Sequence, residues 1–333
     1  MKLATIEEAA EVVYRAMAPT PQYMWPQIAR AAGTEVWVKH ENHTPTGAFK
    51  IRGSLAFMDW LRRTHPDVKG IVTATRGNHG QGQALAATRA GLTAKIFVPH
   101  GNSVEKNAAM ASFGAEVIEY GRDFDEARLE AYRIAEAEKL YFVPPYNDAL
   151  VAGVATYALE LFRAVSDIDT VYVPIGCGSG ICGIISARDA LGLSTEVVGV
   201  VSEGADYAKR SFEAGRPVES SRADTFADGI AVRSPVAEAF AVYSRGAARV
   251  VAVSDDQIAE AMRLYFGATH NVAEGAGAAP LAGLLAERIK MSGRRCAVIL
   301  CGGNVDTNVF AEVLAGRTPR AAGSPRPATA AAG

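Results

Sequence analysis

Pro45-Thr46-Gly47-Ala48-Phe49-Lys50-Ile51-Arg52-Gly53 sets one lysine among small and apolar residues. Burying an ammonium in such a setting is costly, so burial lowers the amine's pKa. A neutral amine can form a Schiff base with a carbonyl cofactor. The plain alternative is a surface lysine at the start of a helix. Three later segments shift the balance. Thr73-Ala74-Thr75-Arg76-Gly77-Asn78-His79-Gly80-Gln81-Gly82 and Pro174-Ile175-Gly176-Cys177-Gly178-Ser179-Gly180 are glycine-bearing loops, and Leu300-Cys301-Gly302-Gly303-Asn304-Val305-Asp306 lies near the end. Each loop follows an apolar run of strand character and precedes a helical stretch. Backbone N–H groups in such a turn form an anion nest, reinforced by the helix that follows.

Around these segments short apolar runs alternate with helical stretches. Glu35–Lys39, Gly70–Ala74, Ala94–Val98, Glu116–Tyr120, Leu140–Val143, Thr170–Pro174, Glu196–Val201 and Cys296–Leu300 read as strands. Most lack polar alternation, as expected when both faces are covered. Lys50–Arg63, Gly80–Gly91, Val104–Phe113, Phe124–Lys139 and Ile181–Leu191 read as helices. The alternation predicts an α/β protein with two open, mostly parallel sheets and flanking helices.

Composition excludes several classes. The 333-residue chain is 49% hydrophobic, with 34 Lys+Arg against 36 Asp+Glu and a net charge of −2. That balance suggests neither nucleic acid nor an anionic membrane as partner. Cys177, Cys182, Cys296 and Cys301 show neither CxxC spacing nor a disulfide framework, which fits a reducing, cytoplasmic setting. Met1–Ala18 mixes Glu7, Glu8, Glu11 and Arg15 with alanines and reads as an amphipathic helix, not a signal or membrane segment. Residues 317–333 are rich in Ala, Pro, Gly, Arg and Ser and are expected to form a disordered tail.

The order of lysine, Asn-bearing loop, glycine loop and Cys-Gly-Gly-Asn resembles the fold type II pyridoxal-phosphate enzymes (tryptophan synthase β-like). Within them it resembles the threonine/serine dehydratase and serine racemase group, over residues from roughly 15 to 312. The resemblance implies pyridoxal 5'-phosphate as cofactor. It implies a large cofactor-binding domain from residues 1–69 and 148–316 and a small substrate-loop domain from 70–147. With residues 317–333 read as a tail, no room is expected for the regulatory domain that some members of the family carry, and the resemblance favours a homodimer.

The resemblance also assigns residues. Lys50 is the catalytic lysine that carries the cofactor, with Phe49 beside it. Gly176, Cys177, Gly178 and Ser179 take the phosphate-binding positions, although the family's loop is all glycine and Ser179 adds a hydroxyl. Asn78 meets the ring hydroxyl, Gly229 gives a backbone contact and Glu274 lies near the ring. Cys301 faces the pyridine nitrogen, where most relatives place Ser. Thr75, Arg76, Gly77, Asn78 and His79 form the loop for the substrate α-carboxylate, with His79 a packing residue. No metal is expected, because the family's cation-binding acid is replaced by Val201, although Glu203 and Asp206 are nearby.

Arg76 departs from the family, which has Ala or Ser there. Arginine stays protonated and is a poor proton shuttle. It could hold the α-carboxylate, a distal carboxylate or the cofactor, or stack on an aromatic ring, with Tyr23, Trp25 and Phe49 as possible neighbours. The implied activity is β-elimination of water from a β-hydroxy-α-amino acid such as threonine, serine, phenylserine or 3-hydroxyaspartate. Amino-acid racemisation, β-replacement, or a non-catalytic role as cofactor reservoir or amino-acid-binding protein remain the alternatives.

Overall fold

A computed structural model describes residues 1–220 and 223–321. The chain opens with helix α1 (Leu3–Tyr14), strand β1 (Gln22–Met24), α2 (Pro26–Ala32), β2 (Glu35–His40) and α3 (Lys50–Thr64). It continues through β3 (Gly70–Ala74), α4 (Asn78–Arg89), β4 (Thr93–Val98), α5 (Val104–Ser112), β5 (Glu116–Glu119), α6 (Phe124–Glu138) and β6 (Tyr141–Phe142). Then follow α7 (Asp148–Ala164), β7 (Thr170–Pro174), α8 (Ser179–Ala190), β8 (Glu196–Ser202), α9 (Tyr207–Ala214), α10 (Ala237–Gly246) and β9 (Arg249–Val253). Helices α11 (Asp255–Thr269) and α12 (Gly275–Ala286), strand β10 (Arg295–Leu300) and α13 (Thr307–Leu314) complete it.

The strands form two sheets. One is ordered β1-β2-β10-β7-β8-β9, the other β5-β4-β3-β6. All pairings are parallel except β1 with β2. The apolar runs account for this. In β3, β7 and β10 nearly every residue is buried, because helices cover both faces. Helix α12 is apolar around its whole circumference and is buried from Gly275 to Leu284, as a helix enclosed on all sides must be.

Beneath α3 lies a charged cluster that the sequence reading did not anticipate. Arg52, fully buried, donates from Nε to Glu41 Oε2 (2.7 Å) and from Nη1 to Glu160 Oε1 (2.6 Å). Lys39 Nζ lies 2.6 Å from Glu160 Oε2 and donates to the Thr20 carbonyl. Two cations thus meet two carboxylates in the interior, and the pairing offsets their lost hydration. The guanidinium and Glu160 hold their charges more firmly than usual: the carboxylates raise the Arg52 pKa against the effect of burial, and Arg52 lowers that of Glu160.

At the other end, residues 317–319, expected to belong to a disordered tail, are packed instead. The Arg317 N–H bonds the Glu312 carbonyl, Thr318 bonds Asp256 and Pro319 is buried, so packing against α11 and α13 carries the chain past Arg317. Residues 322–333 of that expected tail lie outside the described residues. No described helix is long and apolar enough to cross a membrane.

Candidate active site

In parallel sheets the crevice for a ligand opens beyond the carboxyl ends of the strands. Here β3 ends at Thr75–Gly77, β7 at Ile175–Gly178 and β10 at Cys301–Asn304, so the three signature loops converge. The lysine segment is stitched to the last of them. Phe49 N–H donates to the Cys301 carbonyl (3.0 Å), Gly303 N–H donates to the Gly47 carbonyl (2.9 Å), and Ala48 and Gly302 form a β-bridge.

Lys50 is the first residue of α3, and its Nζ donates to Ser179 Oγ at 3.0 Å. The amine also lies 4.8 Å from the centroid of the buried Phe49 ring. Part of the lysine faces the crevice, but the enclosed amine has no hydrogen-bonded carboxylate, and burial lowers its pKa. Cys177, Cys301 and Glu274 are near enough to oppose that shift only partly.

Across the crevice, Asn78 opens α4. Its Nδ2 donates to Glu274 Oε1 (2.7 Å) and its Oδ1 accepts from Asn304 Nδ2 (2.8 Å), which also donates to the Thr46 carbonyl. Asn304 belongs to a quoted motif but was not read as functional. Its amide ties the lysine segment, Asn78 and the β10 loop together. Glu274 caps α12 and is buried, which raises its pKa to about 7 even with Lys106 and Asn78 lowering it. His79 is half-buried. Burial, with Lys50 as a further cause, depresses its pKa to about 3, and its Nε2 is enclosed with no partner. The histidine is therefore neutral. Burial likewise raises the pKa of the Cys177 and Cys301 thiols, so both stay protonated.

The glycine loop has the shape of an anion cradle. Gly178, at φ +95°, caps α8, and a Cβ there would stand 2.6 Å from Ala239 Cβ. A Cβ on Gly176 would fall 2.3 Å from the Gly229 carbonyl oxygen, so the turn bearing Gly229 backs this loop directly. A glycine loop opening α8, a lysine amine within reach of Ser179 and an enclosed His79 nitrogen without a partner together fit a phosphorylated carbonyl cofactor.

Thr75 Oγ1 accepts from Gly77 N–H (3.1 Å), shaping the loop that starts α4. Arg76 is exposed. Of the aromatic neighbours considered for it, Tyr23 and Trp25 pack edge to face, Trp25 also edge to face on His40 and Tyr23 tilted against it, and Phe49 packs on Tyr157. No group of three or more acids, cysteines or histidines among the described residues is arranged for a metal. A groove of about 840 Å³ elsewhere, lined by Trp60, Arg63 and Tyr146, includes neither Lys50, Asn78, Glu274 and Cys301 nor the glycine loop.

Residues 13–302 match the pyridoxal-phosphate dependent enzyme family. The chain belongs to this family. It is 35% identical over 310 residues to an L-threonine ammonia-lyase of Geobacter sulfurreducens, covering 93% of this chain and 77% of that protein. It is 34% identical over 313 residues to an L-threonine ammonia-lyase of Thermotoga maritima, covering 94% and 78%. Among solved structures it resembles the processed form of threonine deaminase isoform 2 from Solanum lycopersicum, with a TM-score of 0.87 at 29% identity over 95% of this chain and 94% of that one. Maize serine racemase superposes with a TM-score of 0.87 at 27% identity, over 94% and 97%. The family member described here is thus a fold type II pyridoxal-phosphate enzyme.

Proposed function

We propose that this enzyme is a dehydratase of threonine- or serine-like amino acids, eliminating water from a β-hydroxy-α-amino acid to give a 2-oxo acid and ammonia. The observation that carries the reading is the Lys50 amine, held towards neutrality by burial and placed at the meeting of the glycine loop, Asn78, Glu274 and Cys301. The two bacterial relatives named as threonine ammonia-lyases support it.

In this reading Lys50, beside Phe49, would hold the cofactor through its carbonyl group. The N–H groups of Gly176, Cys177, Gly178 and Ser179 would hold its phosphate, Gly229 would contact it, Asn78 would hold its ring hydroxyl and Cys301 would serve its ring nitrogen. When bound, pyridoxal 5'-phosphate supplies the electron sink that makes the substrate's α-hydrogen acidic. Thr75, Arg76, Gly77, Asn78 and His79 hold the α-carboxylate at the positive end of α4. The free Lys50 amine would accept the α-proton, and its lowered pKa keeps it a base. The β-hydroxyl leaves with a proton as water. The released enamine takes up one water and yields 2-oxo acid and ammonia. Cys301, a neutral thiol, cannot keep the ring nitrogen protonated as a carboxylate would, which favours elimination over transamination.

Racemisation needs a second proton carrier on the face opposite Lys50, and Arg76 is a poor one. No residue calls for the added nucleophile of β-replacement. A homodimer in the cytoplasm belongs to the same reading. The purified holoenzyme should release 2-oxo acid and ammonia in equal amounts from at least one of threonine, serine, phenylserine and 3-hydroxyaspartate. Inversion of the α-carbon without either product would overturn the assignment.

A further inference from the structure

Lys106, on α5, has no part in the chemistry above, yet its side chain is buried beside the substrate loop. Its Nζ is 2.6 Å from Asp228 Oδ2. Its backbone N–H donates to Ser103 Oγ (3.0 Å), and that hydroxyl donates to Asp306 Oδ1 (2.6 Å) before α13. The head of α5 is thereby fixed to the first sheet's side of the molecule. A Cβ built on Gly77 would stand 3.0 Å from Lys106 Cδ, so the lysine stem lies against the backbone of the Thr75–His79 loop. Asp228 opens the 3-10 turn Asp228–Ile230, whose Gly229 carbonyl backs Gly176. The ion pair therefore joins the loop of one sheet to the turn that supports the glycine loop of the other. Glu274 and Asp306 add to the negative field around the amine.

A loop that binds an anion through backbone N–H groups must be held before the anion arrives, or affinity is lost to ordering it. We propose that Lys106, through its pair with Asp228, is a positioning residue that holds Gly77–His79 in the anion-binding arrangement. It thereby sets affinity for the substrate's carboxylate and leaves the rate of proton transfer to Lys50. The kinetic consequence rests on the β-elimination reading; the structural one does not.

Lys106→Met keeps the stem and removes the charge. In the holoenzyme it should raise KM for the amino acid about 10-fold or more while kcat falls less than about 3-fold. In the substrate-free holoenzyme, amide hydrogen exchange across residues 75–82 should accelerate about 10-fold or more, with the core helices unchanged. Asp228→Asn should shift both readouts in the same direction, and the double variant should add little to either single one, because the two side chains share one contact. Lys106→Arg should recover part of both. Exchange within about 2-fold of the parent in folded Lys106→Met, or a collapse of kcat at constant KM, would overturn the assignment. If Lys106→Met does not fold, Asp228→Asn, whose side chain is partly exposed, decides on the same two readouts. Should no amino acid turn over in the parent enzyme, the elimination reading fails, and exchange at residues 75–82 still decides the role of Lys106.

Discussion

Lys50 and Arg52 stand two residues apart at the start of α3, and their surroundings treat charge in opposite ways. Arg52 is met by Glu41 and Glu160 and remains a cation. Lys50 is met by a serine hydroxyl and an aromatic ring, with no hydrogen-bonded carboxylate, and drifts towards a neutral amine. Burial is common to both. The supply of partners decides whether a buried group keeps its charge. The same contrast extends outward. Glu41 and Glu160 below the helix bond directly to a cation, whereas Glu274 in the crevice bonds an amide and titrates at about 7. The lower cluster ties α1, β2, α3 and α7 together through ion pairs and hydrogen bonds. The crevice keeps groups poised to exchange protons.

The sharpest test of the contrast removes the reactive member. Lys50→Ala should lower 2-oxo acid formation about 10³-fold or more, with little change in unfolding midpoint, because a partly exposed group without a charged partner contributes little to stability. Retention of most of the turnover would place the proton acceptor elsewhere.

Arg52→Met should do the reverse. It strands two carboxylates in the interior and should cost about 3–5 kcal/mol in denaturant unfolding. A loss below about 1 kcal/mol would mean that water reaches the cluster and that its charges are not held by pairing.

Glu274 gives a pH test. Its folded pKa of about 7 lies above its ordinary 4.5, so between these values the folded chain binds more protons than the unfolded one. Stability conferred by the protonated form is therefore complete below about pH 4.5 and declines as pH rises towards 7. Glu274→Gln should abolish that decline. In the cofactor-free protein the variant should gain about 2–4 kcal/mol relative to the parent between pH 4.5 and 8. Parallel stability curves for the two proteins would show that folding leaves the Glu274 pKa unshifted.

The smallest effect is expected at Arg76, whose side chain is exposed although it belongs to the loop read as holding the α-carboxylate. Arg76→Ala should change the ratio of kcat/KM between 3-hydroxyaspartate and threonine by less than about 10-fold, since solvent screens a charge there. A larger change would show that the side chain folds into the crevice around its substrate.

The α/β class and parallel sheets were legible because strands covered on both faces must be continuously apolar, and β3, β7 and β10 read that way. Short or interrupted elements were not. β1 is a three-residue edge strand, and β9 begins with an arginine that its neighbours neutralise, so neither leaves a periodic trace. Asn304 stood within a recognised segment, but nothing in a linear pattern says that its amide bonds Asn78, which lies 226 positions away. Lys106, Asp228, Glu41 and Glu160 carried no signal at all. As isolated charges in helices and turns they are indistinguishable from solvated ones until folding supplies a partner.

By itself, the sequence determined which backbone segments could cradle an anion and which lysine could serve a carbonyl group, because glycine content and apolar flanks act locally. Only the tertiary structure decided which charges survive burial. Protonation depends on what stands within a few ångströms, and those neighbours come from β2, α3, α5, α7 and the turns before α10 and α12, brought together by the packing of two sheets.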